Sequence, residues 1–380
     1  MKSTGPSWWS LLAFGLTVRL AVFGLGWLAF QHWPPLPWQE TSPTATLATD
    51  HGLQIWYRWD AVNYLNISVK GYEYTPGTYC TAAFMPLLPA IMALLDYKNL
   101  IDPMITGFAV PNLAFILGMA FFGKYAAIAA RDETVAWKAC GLLAAYPTAF
   151  FFGCPYQESL GFLCVSMALW AWESKKTATT TAAVFVGTFA RLTTLAVPGA
   201  LLIDWFINTL RRRATASFGS IILVLVAGLV SVALFFLYMH YAVGDAMAHM
   251  KAHEAWNRKP PHPKNIVRTF MYLYYYYPEK GLWAQVVPEA ISLFVFITLG
   301  LRALFVRSVF SGMLILLPIL QALMTGTPLS LERIVLASFP AFIDAGQLLK
   351  RPGLFWSILG LSIILQLLLL NGYIHYQFVG

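Results

Sequence analysis

The hydrophobic pattern of the chain consists of long apolar runs separated by short polar turns. Most runs approach the length of about 20 residues that a helix needs to cross a bilayer. A shorter run, 82–97, contains Pro86 and Pro89 and is interpreted as a re-entrant or interfacial helix. We therefore predict an all-α polytopic membrane protein with about eleven transmembrane helices. The predicted spans are 8–30, 103–123, 136–153, 157–173, 178–193, 194–210, 217–241, 284–301, 309–326, 331–348 and 354–374.

The composition supports this class. Hydrophobic residues make up 58% of the chain and charged residues 11%, with a mean hydropathy of +0.63. Soluble domains carry about 25% charged residues, so a soluble globular protein is excluded. The formal charge of +8 is modest and typical of basic cytoplasmic turns, so no nucleic-acid partner is predicted. Without an internal repeat or a disulfide framework, residues 1–380 are predicted to form a single membrane domain.

Basic residues set the predicted orientation, because Lys and Arg are enriched in cytoplasmic loops. If 82–97 does not cross the membrane, every short cytoplasmic turn is basic, including Arg211-Arg212-Arg213. The N-terminus is then cytoplasmic and the C-terminus extracytoplasmic. Two long segments lie outside, a first outer loop at 31–81 and a second at 242–283.

With this orientation, several polar clusters from distant parts of the chain share the outer face. Carboxylates and arginines near membrane depth are costly unless they are paired, solvated or functional. Their convergence on one face predicts a catalytic or binding site there. The clusters are Arg58-Trp59-Asp60, Gln157-Glu158, Arg191, Gly244-Asp245 with Trp256-Asn257-Arg258, and Glu332-Arg333.

The segment 60–70 is predicted to be an amphipathic helix on the outer membrane surface. Its polar residues recur with helical period from Asp60 to Lys70, and Gly71 follows as a stop signal. Capping of the helix start explains Asp60 without any chemistry, and a catalytic role is compatible with capping. Glu158 has a similar alternative as a helix-start charge. Arg191 is explained either by interfacial snorkelling or by contact with a lipid phosphate.

Two further features have ordinary explanations. His249 and His253 are spaced for one helical face, but no third ligand is clear, so a solvated helix is favoured over a metal pair. No cofactor is predicted, and a divalent metal lacks a supporting ligand set. The tyrosine run 272–277 is interpreted as part of an interfacial aromatic belt, with sugar stacking as the minority interpretation.

The outer-face residues suit a specific chemistry. A hydroxyl that attacks the anomeric carbon of a lipid-phosphate sugar needs a carboxylate base and cations for the departing phosphate. Inverting transfer requires one such base, because the displacement is a single step. A transporter or lipid flippase is the alternative, but it predicts midplane charges and a repeat relating two halves. Within the predicted spans we find Arg19 and Asp204, and no repeat.

The same residues resemble a known family. Arg58-Trp59-Asp60-Ala61, continued by Tyr64-Leu65 and Gly71-Tyr72 and then by Phe84-Met85-Pro86, resembles the opening signature of the PIG-V family of GPI mannosyltransferases and their bacterial relatives. The resemblance covers most of the chain in the expected order. Later motifs that contribute to it are Tyr156-Gln157-Glu158-Ser159-Leu160, Ala190-Arg191, Gly244-Asp245, Ala255-Trp256-Asn257-Arg258, and Arg333 with Phe339-Pro340.

The resemblance implies a GT-C glycosyltransferase fold with its active site on the lumenal or periplasmic face. It also implies a polyprenyl- or dolichyl-phosphate mannose donor, a glycan or glycolipid acceptor, and inversion at the anomeric carbon. A different lipid-linked hexose or pentose stays open. Asp60 is the expected base and Glu158 its supporting carboxylate. The expected substrate-binding residues are Arg58, Trp59, Gln157, Arg191, Asp245, Trp256, Arg258 and Arg333.

Two positions depart from the family pattern. Asn63 stands where a histidine is expected, and Glu332 stands where bacterial relatives often have proline. These departures bear on the acceptor and the sugar more than on the reaction class. At 380 residues the chain is short for a eukaryotic GPI enzyme, so a prokaryotic relative with another acceptor is expected. Its location would be the plasma membrane, or the endoplasmic reticulum if the source is eukaryotic.

Overall fold

In a computed structural model, the chain folds into a helical bundle. The structure describes residues 5–37, 52–213, 216–276, 279 and 283–379, so part of the predicted first outer loop lies outside the described residues. Within them, the regular elements are helices. The α-helices are Trp8–His32, Asp60–Lys70, Leu87–Asp96, Pro103–Ala130, Glu133–Ala145, Glu158–Glu173, Thr177–Ala190, Ala196–Leu210, Phe218–Val243, Ala248–Ala252, Lys264–Met271, Trp283–Val306, Val309–Leu323, Leu331–Ile334, Ala341–Leu348 and Pro352–Ile374.

Short tight helices connect several of these elements. Most are 3₁₀ turns, and the tyrosine-rich segment Tyr272–Tyr276 is a π-helix. The 3₁₀ helices are Leu53–Trp56, Thr81–Ala83, Tyr97–Asn99, Ala149–Gly153, Leu192–Leu195, His253–Trp256 and Val335–Ser338.

Among the described residues, six helices are long and apolar enough to cross a membrane. Two shorter apolar helices, Thr177–Ala190 and Val309–Leu323, accompany them. The chain is therefore an integral membrane protein, whereas the total of eleven spans stays a prediction. The six helices are Trp8–His32, Pro103–Ala130, Leu192–Leu210, Phe218–Val243, Val286–Val306 and Pro352–Ile374.

Two of the predicted spans are divided in the structure. The run 136–153 becomes the helix Glu133–Ala145 and the 3₁₀ helix Ala149–Gly153, because Pro147 forces the preceding residue out of helical geometry. The run 331–348 becomes three short helices, the last of which follows Pro340. Both runs were predicted as continuous spans from their apolar composition, which does not indicate where the backbone turns.

The helix predicted in the first outer loop is present with the predicted ends, Asp60–Lys70. Trp59 precedes it with a φ of 53°, and Gly71 ends it with a φ of 83°, a conformation that glycine adopts without strain. Ala61, Tyr64 and Ile67 face the protein, while Val69 is 62% exposed. Its place on the membrane surface stays a prediction.

Close helix packing fixes the position of the helix that begins at Glu158. Pro103–Ala130 packs against Glu158–Glu173 at Gly118, where an added Cβ would lie 2.7 Å from Phe162 Cδ1. Small residues at such crossings let membrane helices approach closely. On the first helix, Arg19 is 4% exposed and its guanidinium lies 3.9 Å from the centre of the Phe115 ring, so this charge faces the bundle interior.

Candidate active site

A cavity of about 630 Å³ lies where the two predicted outer loops, 31–81 and 242–283, meet the start of the helix Glu158–Glu173. Eight of the ten site residues predicted from the sequence line this cavity. Their convergence is the main structural result, because they come from distant parts of the chain. They are Trp59, Asp60, Gln157, Glu158, Arg191, Trp256, Arg258 and Arg333.

Two carboxylates and two arginines in the cavity form a continuous chain of ion pairs. Arg333 Nη1 lies 2.9 Å from Asp60 Oδ2, and Arg333 Nε lies 3.6 Å from Glu158 Oε1. Arg191 Nη1 lies 2.6 Å from the same Glu158 oxygen. The order is thus Asp60, Arg333, Glu158, Arg191, with opposite charges adjacent throughout. Partly buried pairs of this kind are screened less than surface pairs.

The two carboxylates differ in how much of each is free to contact a substrate. Glu158 is 6% exposed and one of its oxygens faces two guanidinium groups. The Asp60 side chain is 24% exposed, and no described residue donates a hydrogen bond to its Oδ1. Asp60 therefore has a free carboxylate oxygen in the cavity, held by an arginine on its other oxygen. A general base needs an oxygen within hydrogen-bond reach of the proton it takes.

Local hydrogen bonds hold the two motifs together. Tyr156 Oη donates to the backbone oxygen of Arg58 at 3.0 Å, which links the segment before Glu158 to the segment before Asp60. The Gln157 side chain donates to Met85 O and accepts from Leu88 N, so it fixes the start of the helix Leu87–Asp96. Gln157 thus lines the cavity but has its amide committed to the backbone.

Two predicted substrate-binding residues lie elsewhere. Arg58 donates two hydrogen bonds to Ile374 O, at 3.1 and 3.0 Å, and its guanidinium covers the Tyr376 ring. Asp245 accepts from Met247 N and pairs with Lys251 at 2.6 Å on the exposed surface. Neither residue lines the cavity. Their predicted substrate contacts stay predictions that this arrangement does not support.

The second outer loop contributes a wall with several aromatic rings. His249, His253 and Trp256 line the cavity, together with Tyr79 of the first outer loop. Burial lowers the pKa of His249 to about 4, against the raising effect of its hydrogen bond with Ala82 O. Burial, followed by the charges of His249 and Arg258, lowers the pKa of His253 well below its usual value. Both imidazoles are therefore neutral near pH 7.

Several cavity residues were not singled out by the sequence. Tyr79, Gln321 and Thr325 belong to the lining but to none of the motifs, so only the fold reveals them. In the part of the chain that the structure describes, no three His, Cys, Asp or Glu side chains form a group that could hold a metal ion.

Comparison with known proteins places this geometry in a family. The sequence profile described as mannosyltransferase (PIG-V) matches residues 39–295, which is more than half of the chain. The chain belongs to the PIG-V mannosyltransferase family. The match includes Asp60, Glu158, Arg191 and Arg258 and ends before Arg333. A search of curated proteins found no match.

A solved structure agrees with the family on the fold. The PIG-V-family chain is similar to ArnT from Cupriavidus metallidurans, a structure determined with bound undecaprenyl phosphate, at 14% identity and a TM-score of 0.52. The match covers 93% of this chain and 63% of the ArnT chain, so this chain spans less than two thirds of its relative's length. The likeness confirms the predicted GT-C glycosyltransferase fold.

Proposed function

We propose that this PIG-V-family protein transfers mannose from a polyprenyl- or dolichyl-phosphate mannose donor to a hydroxyl of a glycan or glycolipid acceptor. The reaction is a single inverting displacement in the cavity that holds Asp60 and Arg333. The arrangement that carries the proposal is the free Oδ1 of Asp60 beside the ion-pair chain Asp60–Arg333–Glu158–Arg191.

The proposed displacement forms one bond at the anomeric carbon and breaks another. The acceptor hydroxyl oxygen bonds to the anomeric carbon while its proton moves to Asp60 Oδ1. The bond between the anomeric carbon and the phosphate oxygen breaks, and the lipid phosphate leaves with the electron pair. Arg333 holds the Asp60 carboxylate through its Oδ2 atom, and Glu158 holds Arg191 and Arg333 in position.

The charge of the cavity favours an anionic leaving group. Three arginines line it, Arg191, Arg258 and Arg333, against the two carboxylates Asp60 and Glu158. Guanidinium groups suit phosphate because their planar donors match its oxygens. The undecaprenyl phosphate bound to ArnT is consistent with a lipid-phosphate donor here. We place the cavity on the extracytoplasmic face, which follows from the distribution of basic turns.

The central test is Asp60→Asn in membranes supplied with polyprenyl-phosphate [¹⁴C]mannose and native lipid acceptors. The amide cannot take the hydroxyl proton, so we expect transfer to fall by at least about 100-fold. Glu73→Gln is the matched control, since Glu73 is an exposed carboxylate of the same loop outside the cavity. Undiminished transfer by a normally expressed Asp60→Asn protein would remove Asp60 as the base.

A second candidate is transfer of another lipid-phosphate sugar by the same residues. The observation that favours it is Asn63, which lines the cavity where the family pattern has a histidine. An amide in place of an imidazole changes the hydrogen bonds available to the sugar hydroxyls. Competing labelled lipid-phosphate hexoses and pentoses against the mannose donor separates the two candidates.

A further inference from the structure

A part of the cavity wall is distinct from the ion-pair chain. We call it the aromatic–histidine wall, and it consists of His249, His253, Trp256 and Tyr79. The ring centroids of Tyr79 and Trp256 are 4.8 Å apart, those of His253 and Trp256 6.5 Å, and those of His249 and His253 4.9 Å. The four rings therefore form one continuous surface built from both outer loops.

His249 anchors this wall to the 3₁₀ helix Thr81–Ala83. Its Nδ1 lies 3.0 Å from Ala82 O, and the residue is 3% exposed. Because a carbonyl oxygen only accepts, Nδ1 carries the hydrogen and Nε2 of the neutral ring has none. His249 is therefore a fixed support for the ring beside it.

His253 and Trp256 carry polar groups that are available for hydrogen bonds to a ligand. Within the described residues, neither the imidazole of His253 nor the indole N–H of Trp256 makes a hydrogen bond. Both side chains are half-buried at the cavity wall. A neutral imidazole offers one donor and one acceptor, and the indole offers one donor. Such groups on an aromatic surface are usually satisfied by water or by a ligand.

The chemistry of the wall selects the kind of ligand. The two neutral imidazoles add no charge to attract phosphate, and the guanidinium of Arg258, whose charge acts on His253, donates to Leu329 O. The described residues hold no third ligand for a metal ion beside them. A sugar ring fits, because its C–H faces pack on aromatic rings while its hydroxyls require neutral donors and acceptors. Tyr79 is 73% exposed, so the wall opens toward solvent at this end.

We propose that the aromatic–histidine wall binds a neutral sugar unit of the acceptor, with His253 and Trp256 hydrogen-bonded to its hydroxyls. The inference rests on the proposed function, since it makes the acceptor a glycan whose reactive hydroxyl extends toward Asp60. His253 is thereby a substrate-binding residue, and His249 is a positioning residue that holds it.

Saturation-transfer NMR of the full chain in detergent, with methyl α-mannoside and mannobiose as probes, tests the proposal. We expect saturation of the sugar protons by the wild type and at least fivefold less by His253→Ala and Trp256→Ala. Trp256→Phe keeps an aromatic ring without the N–H and should lose about half of the signal. His262→Ala is the matched control, because His262 is an exposed histidine of the same loop outside the cavity.

Binding of undecaprenyl phosphate is measured in the same samples. Variants that lose the sugar signal but bind undecaprenyl phosphate like the wild type support the proposal. Equal sugar signals in all proteins, or none in the wild type, overturn it. Zinc that copurifies with the wild type and is lost in His253→Ala also overturns it, in favour of a metal site. A His253-dependent sugar signal without undecaprenyl phosphate binding contradicts the proposed donor alone.

Discussion

The bridge made by Arg333 between Asp60 and Glu158 gives the sharpest expectation for catalysis. Its Nη1 atom lies 2.9 Å from Asp60 Oδ2, and its Nε atom lies 3.6 Å from Glu158 Oε1. Arg333→Met removes the charge and leaves both carboxylates in one cavity with Arg191 as the remaining cation of the ion-pair chain. Arg333→Lys keeps the charge but presents a single ammonium group, which cannot reproduce the spacing of a guanidinium fork.

The magnitude follows from burial and distance. The side chains of Arg333, Asp60 and Glu158 are 15%, 24% and 6% exposed, so water screens the pairs only in part. At an effective dielectric of about 20, one such contact corresponds to about 4 kcal/mol of attraction before desolvation. Removing one partner of a buried pair costs about 3–5 kcal/mol. If about 3 kcal/mol of this loss reaches the transition state, kcat falls about 100-fold.

Steady-state transfer from polyprenyl-phosphate mannose measures this effect. We expect kcat to fall about 100-fold in Arg333→Met and about 10-fold in Arg333→Lys, with apparent unfolding temperatures recorded for both. Arg211→Met is the control, since Arg211 is an exposed arginine of a predicted cytoplasmic turn. A folded Arg333→Met protein with kcat within twofold of the wild type would refute the bridge as a catalytic device.

Three further changes test other contacts. Tyr156→Phe removes a hydrogen bond to Arg58 O, to which Tyr373 Oη at 3.4 Å is a weak alternative, and should cost about 1–2 kcal/mol of unfolding free energy in a denaturant titration. Gly118→Leu overpacks the helix crossing at Phe162 and should cost at least about 1–3 kcal/mol in the same titration; wild-type stability would contradict the packing. His249 has a folded pKa of about 4 against 6.5 when unfolded, so the folded state binds fewer protons between these values. The free energy of unfolding is therefore independent of this group above about pH 6.5, and it falls by up to about 3 kcal/mol as the pH is lowered to 4. The apparent unfolding temperature of the wild type should therefore drop more between pH 7 and pH 5 than that of His249→Gln, and parallel curves would contradict this.

Some of the fold was predictable because its signals are local. The helix Asp60–Lys70 has the predicted ends, because an acid in the first turn and a following glycine are local signals. The N-cap is Trp59 and makes no side-chain capping bond, so Asp60 does not cap the helix. Likewise, the positions of the long apolar helices follow from hydropathy. The prediction of one span over 331–348 did not include the break at Pro340, because the apolar character of a run does not show where its helix is interrupted.

The residues around the cavity were predictable as a set but not as pairs. Sorting polar residues by membrane face brought Asp60, Glu158, Arg191 and Arg333 to the same side. Four arginines and several carboxylates are predicted on that face and allow many pairings, and nothing in the sequence selects Arg333 for Asp60. The same sorting included Arg58, whose guanidinium turned out to bind the carbonyl of Ile374. Charge identifies the candidates, whereas packing of distant segments decides their partners.

The contact between Asp60 and Arg333 joins positions 273 residues apart in the chain. During biosynthesis, the segment with both carboxylates enters the membrane long before the segment with this arginine is made. A nascent chain therefore carries Asp60 and Glu158 without the cation that bridges them. The proposed site is therefore complete only after the segment with Arg333 has been inserted and packed, so its activity would report that this long-range contact has formed.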